Sequence, residues 1–168
     1  MNVRPATARD HAAIRRINAA AFPTPAEADL VDRLRADGDL LLELVAERDG
    51  GLVGCIQFSP LRLEGDPPVL AAVPAAALAP MAVSPEAQRQ GVGAALIQAG
   101  VQACRQRDVP AIVVLGHPDY YPRFGFSAET ARHIHDPFDA GPAFMAMSFE
   151  PGVLDRPLTP RYAPAFGL

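Results

Sequence analysis

Apolar residues recur every three to four positions in the first forty residues and in runs or alternations afterwards, so the chain reads as helices first and strands next. Asn2 to Pro5 suits a short edge strand, because proline is tolerated only at an edge or a strand end. Thr7 offers a hydroxyl N-cap with Asp10 at the third helical position, and Ile14, Ile17, Ala20 and Ala21 then share one face up to Phe22-Pro23. Thr24-Pro25-Ala26-Glu27 spells a capping box with proline at the first helical position, followed by Leu30, Val31 and Leu34 as a buried stripe and Asp37-Gly38 as a stop. Leu40 to Glu47 and Leu52 to Phe58 are β-rich runs joined by Arg48-Asp49-Gly50-Gly51, a strong hairpin signal.

A third strand of this group falls within Val69 to Val83, after a turn at Glu64 to Pro68. Pro80 interrupts it and argues for a bulge or an opening in the sheet, since proline cannot donate to a ladder. Val92 to Asp108 reads as a helix turning Val92, Leu96, Ala99 and Ala103 inward, with alanine and glycine allowing close approach to a sheet. Ala111 to Leu115 is an apolar strand, Pro137 to Pro142 a turn-rich stretch, and Ala143 to Phe149 a last strand of period two. Residues 151–168 carry four prolines and read as an extended tail packed on the body or on a partner. A length of 168 residues suits a single domain spanning 1–168.

Between the third strand and the following helix lies a glycine loop, and that order is the layout of an anion site. Gly91 and Gly93 leave the backbone uncovered, so N–H groups from Gln88, Arg89, Gln90, Gly91, Val92, Gly93 and Ala94 can close on a phosphate at the positive end of the helix. A Walker loop is excluded, because the chain has no lysine. The dinucleotide fingerprint fits poorly: Leu96 stands where its third glycine belongs, and the nearest acid is Asp108.

The remaining pattern, Gln88-x-x-Gly91-x-Gly93, resembles the Arg/Gln-x-x-Gly-x-Gly/Ala signature of the GNAT superfamily of acetyl-CoA-dependent N-acetyltransferases. Tyr120-Tyr121-Pro122-Arg123-Phe124-Gly125-Phe126, after the strand that follows the helix, is similar to the family's Tyr-x-x-x-Gly-Phe element. Arg4-Pro5-Ala6-Thr7 and the proline-rich end from Arg161 to Phe166 resemble a bacterial subgroup of small GNAT proteins. The resemblance implies a mixed α/β fold, with a mostly antiparallel six- to seven-stranded sheet splayed between its fourth and fifth strands and flanked by helices. It also implies acetyl-CoA as co-substrate and an amine as acceptor.

The same resemblance carries the expected roles. The edge at Met81, Ala82 and Val83 takes the pantetheine arm, the Gln88 to Ala94 loop the pyrophosphate, and the Val83 N–H the oxyanion, where such a donor is worth about 3 kcal/mol. Tyr121, four residues before Gly125, takes the place of the family's acid and contacts the cofactor. Relatives often carry a carboxylate on the fourth strand, but Ala77 to Val83 has none, so the base stays open between Glu27, His117 and water. The stretch Gly116 to Asp119 lacks the family's frequent asparagine. His133-Ile134-His135-Asp136 has metal-ligand residue types but no further distant ligand, so no metal is expected. Cys55 and Cys104 are expected to be small buried hydrophobes, outside the chemistry.

Net charge is −4 with scattered arginines, which disfavours nucleic acid or a membrane surface as partner and suits a cationic amine. No apolar run approaches a membrane span and no signal segment is recognisable, so the expected location is the cytoplasm. Three alternatives remain from sequence: a catalytically weak acyl-CoA sensor or interaction module, an acceptor that is a protein N-terminus or lysine, and a homodimer.

Overall fold

The computed structural model describes residues 1–68 and 70–168, so Val69, the first residue of the third-strand stretch, lies outside the described residues. The main elements are β1 (Asn2–Pro5), α1 (His11–Ala21), α2 (Ala26–Asp37), β2 (Leu42–Arg48), β3 (Gly51–Gly65), β4 (Val73–Val83), α3 (Val92–Gln106), β5 (Ala111–Leu115), β6 (Phe144–Ser148) and β7 (Leu158–Arg161). Strands follow the order β1-β2-β3-β4-β5-β6, with β7 paired to β3. Pairs β1–β2, β2–β3, β3–β7 and β5–β6 are antiparallel, whereas β4 and β5 are parallel. Parallel register covers Ala76 to Leu78 against Ile112 to Val114, and β4 runs on past it through cis-Pro80 to Val83. This is the mixed, split sheet that the resemblance implied. The chain divides into two compact units, Met1–Phe58 with Ala79–Ala103 and Ser59–Leu78 with Cys104–Leu168.

In the first unit, β2 and β3 meet at a two-residue turn in which Asp49 (φ 52°) and Gly50 (φ 78°) both have positive φ, the geometry that matches strand twist. Alternation along β3 then sorts two faces. Gly54, Ile56 and Phe58 take one, and α3 lies against it so closely that a Cβ at Gly54 would stand 2.9 Å from Val92 Cγ1 and one at Gly100 only 2.4 Å from the Phe58 ring. The stripe of α3 is therefore Val92, Leu96, Ile97, Gly100 and Cys104, while Ala99 and Ala103, expected inward, are half-buried. The physical reason is the Phe58 ring, which only a glycine can face at that distance. Cys55 takes the other face with Val45, and both pack against Ile14, Ile17, Val31 and Ala82.

On α1, Asn18 is wholly buried and Ala20 is exposed, contrary to the apolar stripe read from sequence. Asn18 fits because its Nδ2 donates to the Ile14 carbonyl (3.0 Å) and to Cys55 Sγ (3.3 Å). At the head of α1 the Asp10 carboxylate accepts from the Thr7 N–H (2.7 Å) and from Arg4 Nη1 (2.8 Å). On α2 the buried residues are Ala28, Val31 and Leu34, with Leu30 half-buried, and Gly38 at φ 76° ends the helix with the Asp39 N–H returning to the Leu34 carbonyl (2.8 Å). The capping box expected at Thr24 is not formed. Pro25 is the capping residue, and Thr24 Oγ1 accepts from the Ala26 N–H (3.4 Å).

The second unit is built around Leu61, Leu63, Val113, Ile134, Phe144 and Leu158. Strand β3 outruns its expected end at Phe58 by seven residues, because β7 pairs with Arg62 to Gly65. Residues 151–168 are thus not simply an extended tail: they supply a sheet strand, and the Tyr162 ring packs against Phe138 (5.6 Å) and Phe166 (5.2 Å). Strand β6 is covered on both faces from Phe144 to Met147, so its period-two pattern does not divide buried from exposed positions.

Arg4 and the Thr7 N–H hold the Asp10 carboxyl well below the usual carboxylate range. Because the folded value is depressed, this contribution is present above the unfolded value of about 4 and is withdrawn as pH falls below it. Asp10→Asn is expected to lower the melting temperature at neutral pH, with the gap to the parent chain narrowing in melts taken progressively below about pH 4. A gap independent of pH would mean that the charge is not what matters.

Candidate functional site

Two local constructions hold most of the site residues expected from sequence, one in each unit. The first is the loop that enters α3. Strand β4 ends at Val83, the Ser84 N–H donates to the Val53 carbonyl (2.9 Å), and a short 3-10 turn over Pro85–Ala87 leads into Gln88. Arg89 (φ 60°) and Gly91 (φ 84°) then adopt left-handed backbone, and no atom lies within 4 Å of where a Gly91 Cβ would be. The first α-helical bond runs from the Ala95 N–H to the Gly91 carbonyl (3.0 Å), so the N–H groups of Val92, Gly93 and Ala94 precede the intrahelical ladder. A run of such donors at the positive end of a 15-residue helix is suited to an anion.

Side chains brace this loop rather than reach beyond it. Gln88 Nε2 donates to the Val83 carbonyl (3.1 Å), tying the loop back to the end of β4. Gln90 Nε2 donates to the Glu86 carbonyl (2.8 Å), while Gln90 Oε1 accepts from Arg48 Nη1 (2.7 Å) on the β2–β3 hairpin. Arg48 was not among the residues singled out from sequence, and no local signal marks it, since its role depends on a partner 42 positions away. Gly54 was also missed, yet a Cβ there would meet Val92, Leu96 and the Ala82 carbonyl (3.1 Å) and lift α3 off the strand. Met81 and Val83 are half-buried and Ala82 is buried among Ile14, Ile17 and Cys55.

The second construction is the turn after β5. Tyr121 opens a 3-10 turn over Tyr121–Phe124, closed by Gly125 at φ 99°, where a side chain would be strained and a Cβ would lie 3.1 Å from Met147 Cε. The N–H groups of Tyr120 (3.0 Å) and Tyr121 (3.3 Å) both donate to the His117 carbonyl. The Tyr121 ring lies over Gly116, where a Cβ would stand 2.2 Å from Cε2, and meets Tyr120 (5.3 Å) and Phe126 (5.7 Å) edge-on. Burial, reinforced by Tyr120, pushes its phenol up to about 12. Among the described residues its hydroxyl makes no hydrogen bond and is not a buried orphan, so it stands free to donate.

The other candidates fall as follows. Glu27 is the second residue of α2 and half-buried, and its Oε2 is buried with no hydrogen bond among the described residues. His117 is exposed just beyond β5. His133 and His135 are exposed, and the Asp136 carboxylate is occupied by the N–H groups of Phe138 (2.9 Å), Ala140 (2.7 Å) and Gly141 (3.1 Å). No group of three or more His, Cys, Asp or Glu among the described residues is placed to hold a metal ion, and no helix is long and apolar enough to cross a membrane. Cys55 and Cys104 are buried and unbridged, and desolvation pushes both thiols up to about 11.

The chain belongs to the GNAT acetyltransferase family, whose model it matches over residues 11–126. It is 40% identical over 121 residues to an uncharacterised N-acetyltransferase, YjhQ, of Escherichia coli K12, covering 70% of this chain and 64% of that one. To the E. coli K12 protein YhbS, likewise an uncharacterised N-acetyltransferase, it is 39% identical over 116 residues, covering 68% of this chain and 65% of YhbS. The matches thus span a little under two thirds of those relatives. Among solved structures, YhbS in complex with CoA superposes with TM-score 0.89 at 28% identity, covering 99% of this chain and 92% of that chain. A Brucella melitensis GNAT acetyltransferase in complex with acetyl-CoA gives 0.81 at 32%, covering 98% and 97%.

Gly116→Ala is expected to push the Tyr121 ring out of its place and expose it. Alkaline titration of the tyrosines by ultraviolet absorbance should then show one phenol descending from about 12 toward the ordinary value of about 10. An unmoved titration would mean that Gly116 does not seat the ring.

Proposed function

We propose that the chain is an acetyl-CoA-dependent N-acetyltransferase that moves the acetyl group directly to a primary amine. The observation that carries this reading is the open loop at Arg89 and Gly91, whose helix-entry N–H groups are unclaimed by the α3 ladder, in a chain 32% identical to a protein solved with acetyl-CoA. Backbone donors from Arg89 to Ala94 fit a pyrophosphate, the expected Gln88 N–H being spent on the Pro85 carbonyl (3.4 Å), and the edge at Met81 to Val83 fits the pantetheine arm. Bound acetyl-CoA supplies an acetyl group already activated as a thioester.

In this reading the Val83 N–H polarises the acetyl carbonyl, and the Gln88 bond to the Val83 carbonyl holds the next peptide along the chain. Glu27 binds the amine and receives its proton, in keeping with an Oε2 that no protein donor meets. A cationic acceptor first gives one proton to Glu27 or to water; the new C–N bond of the free amine then forms as the C–S bond breaks, a second N–H proton leaves to water, and the sulfur departs as thiol. A Tyr121 phenol held near 12 stays protonated throughout neutral pH and donates to the departing sulfur. With a net charge of −4 the chain favours a cationic acceptor over an acidic one. The second reading, an acyl-CoA sensor with weak turnover, draws on the lack of any carboxylate in β4.

Thiol release from acetyl-CoA is measured across polyamines, aminoglycosides, amino acids and peptides bearing a free N-terminus or lysine, with cofactor binding followed calorimetrically on the same sample. Release with one amine class establishes the enzyme and identifies its acceptor. Binding without release from any of them favours the sensor, and no binding overturns the proposal. Tyr121→Phe is expected to lower turnover about 10²- to 10⁴-fold with cofactor affinity nearly unchanged. Unchanged turnover would remove the phenol from the reaction.

A further inference from the structure

Within the first unit, the β2–β3 hairpin grips the helix-entry loop both where the loop begins and just before Gly91. The hairpin register slips between Ala46 and Glu47: Ala46 pairs with Gly54 and Glu47 with Leu52, which passes over Val53. Such a bulge bends and twists a strand and re-aims the groups beside it. The Val53 carbonyl accepts from the N–H of Ser84, the first residue after β4 (2.9 Å). Past the bulge, Arg48 closes β2 and donates from Nη1 to Gln90 Oε1 (2.7 Å).

Between those contacts lies a residue whose conformation must be imposed on it. Arg89 has φ 60°, a left-handed backbone that a long side chain disfavours and that persists only where its surroundings hold it. Rotation to negative φ would turn the peptides on either side, together with the N–H groups they carry. Both neighbours of Arg89 are tied by their side-chain amides, Gln88 Nε2 to the Val83 carbonyl (3.1 Å) and Gln90 Nε2 to the Glu86 carbonyl (2.8 Å). Gln90 is exposed, so packing does not orient its side chain. Its amide is fixed instead by being held at both ends, the nitrogen on Glu86 and the oxygen by Arg48.

Resting on the acetyl-CoA reading of this loop, we propose that Arg48 is a positioning residue for the cofactor. Through Gln90 it keeps Arg89 in left-handed backbone, so that the open N–H groups are set before coenzyme A arrives. A loop ordered in advance loses less freedom on binding, and the gain is read in cofactor affinity. The arginine acts through the Gln90 amide and not by its charge on the phosphates.

Coenzyme A binding to the full chain is measured calorimetrically for the parent, Arg48→Met, Gln90→Met and the double variant. Each single substitution is expected to weaken binding about three- to tenfold, and the double variant no more than either alone, because both cut the same tie. Melting temperatures should stay close to the parent's, since the bond is exposed. Arg89→Gly removes the penalty on left-handed backbone, and in that background Arg48→Met is expected to cost less than about twofold. Weaker binding by Arg48→Met with parent-like binding by Gln90→Met would mean that the guanidinium meets the phosphates itself, and overturns the inference. Parent-like binding by both single variants, additive losses in the double variant, or an undiminished cost of Arg48→Met in the Arg89→Gly background overturns it as well. Each of these results leaves the acetyl-CoA reading standing, whereas failure of the parent chain to bind coenzyme A overturns both.

Discussion

The close seating of α3 on β3 is the constraint from which the rest of the first unit follows. Val92 and Leu96 rest where any side chain at residue 54 would have to be, and the Phe58 ring occupies the space a side chain at residue 100 would need. Burying side chains such as Phe58 and Leu96 contributes about 2 kcal/mol each, but the larger consequence is positional. With Val92 held down over Gly54, the N-terminal turn of α3 begins at a set height above the end of β4. The left-handed residues Arg89 and Gly91 can then fold the loop back so that its N–H groups remain open. Arg48 and Gln88 fasten the two sides of that loop to the hairpin and to Val83.

The opposite face of the same strand has a different character. There the apolar packing of Ile14, Ile17, Val31 and Val45 is interrupted by a connected polar row, Asn18, Cys55, Gln57, Glu43 and Arg35, in which Asn18 Oδ1, Gln57 Oε1 and Arg35 Nε make no hydrogen bond among the described residues. A face tuned only for stability would put aliphatic side chains there, since an apolar replacement of like volume removes the desolvation penalty of an unpaired group.

In the second unit the matching device is steric. Gly116 and Gly125 bracket the tyrosine turn, one by giving the ring room and the other by closing the turn in a left-handed conformation. The aromatic edges of Tyr120 and Phe126 hold the Tyr121 ring. Desolvation, which raises this phenol, also raises both thiols, so the interior keeps its weak acids protonated across the neutral range.

What the sequence determined by itself was whatever depends on neighbours along the chain. The Asp49-Gly50 hairpin, the stop at Gly38, the glycine loop before α3 and the Tyr121–Gly125 spacing were legible because positive φ and helix termini are set within a few residues, and the element order carried the family with it. Local patterns misled where a distant partner outweighed them: Thr24 and Glu27 do not form their box, β3 continues past Ser59-Pro60 because β7 pairs with it, and Ala99 yields its inward place to Gly100 because Phe58 stands opposite. Gln57 inside an apolar run and Asn18 on an apolar helix face were visible anomalies, but only tertiary packing decided that their oxygens would lack partners. Gly54, Gly116 and Arg48 matter through atoms far from them in sequence, and such proximity is a property of the folded chain, to which no periodicity along the sequence corresponds.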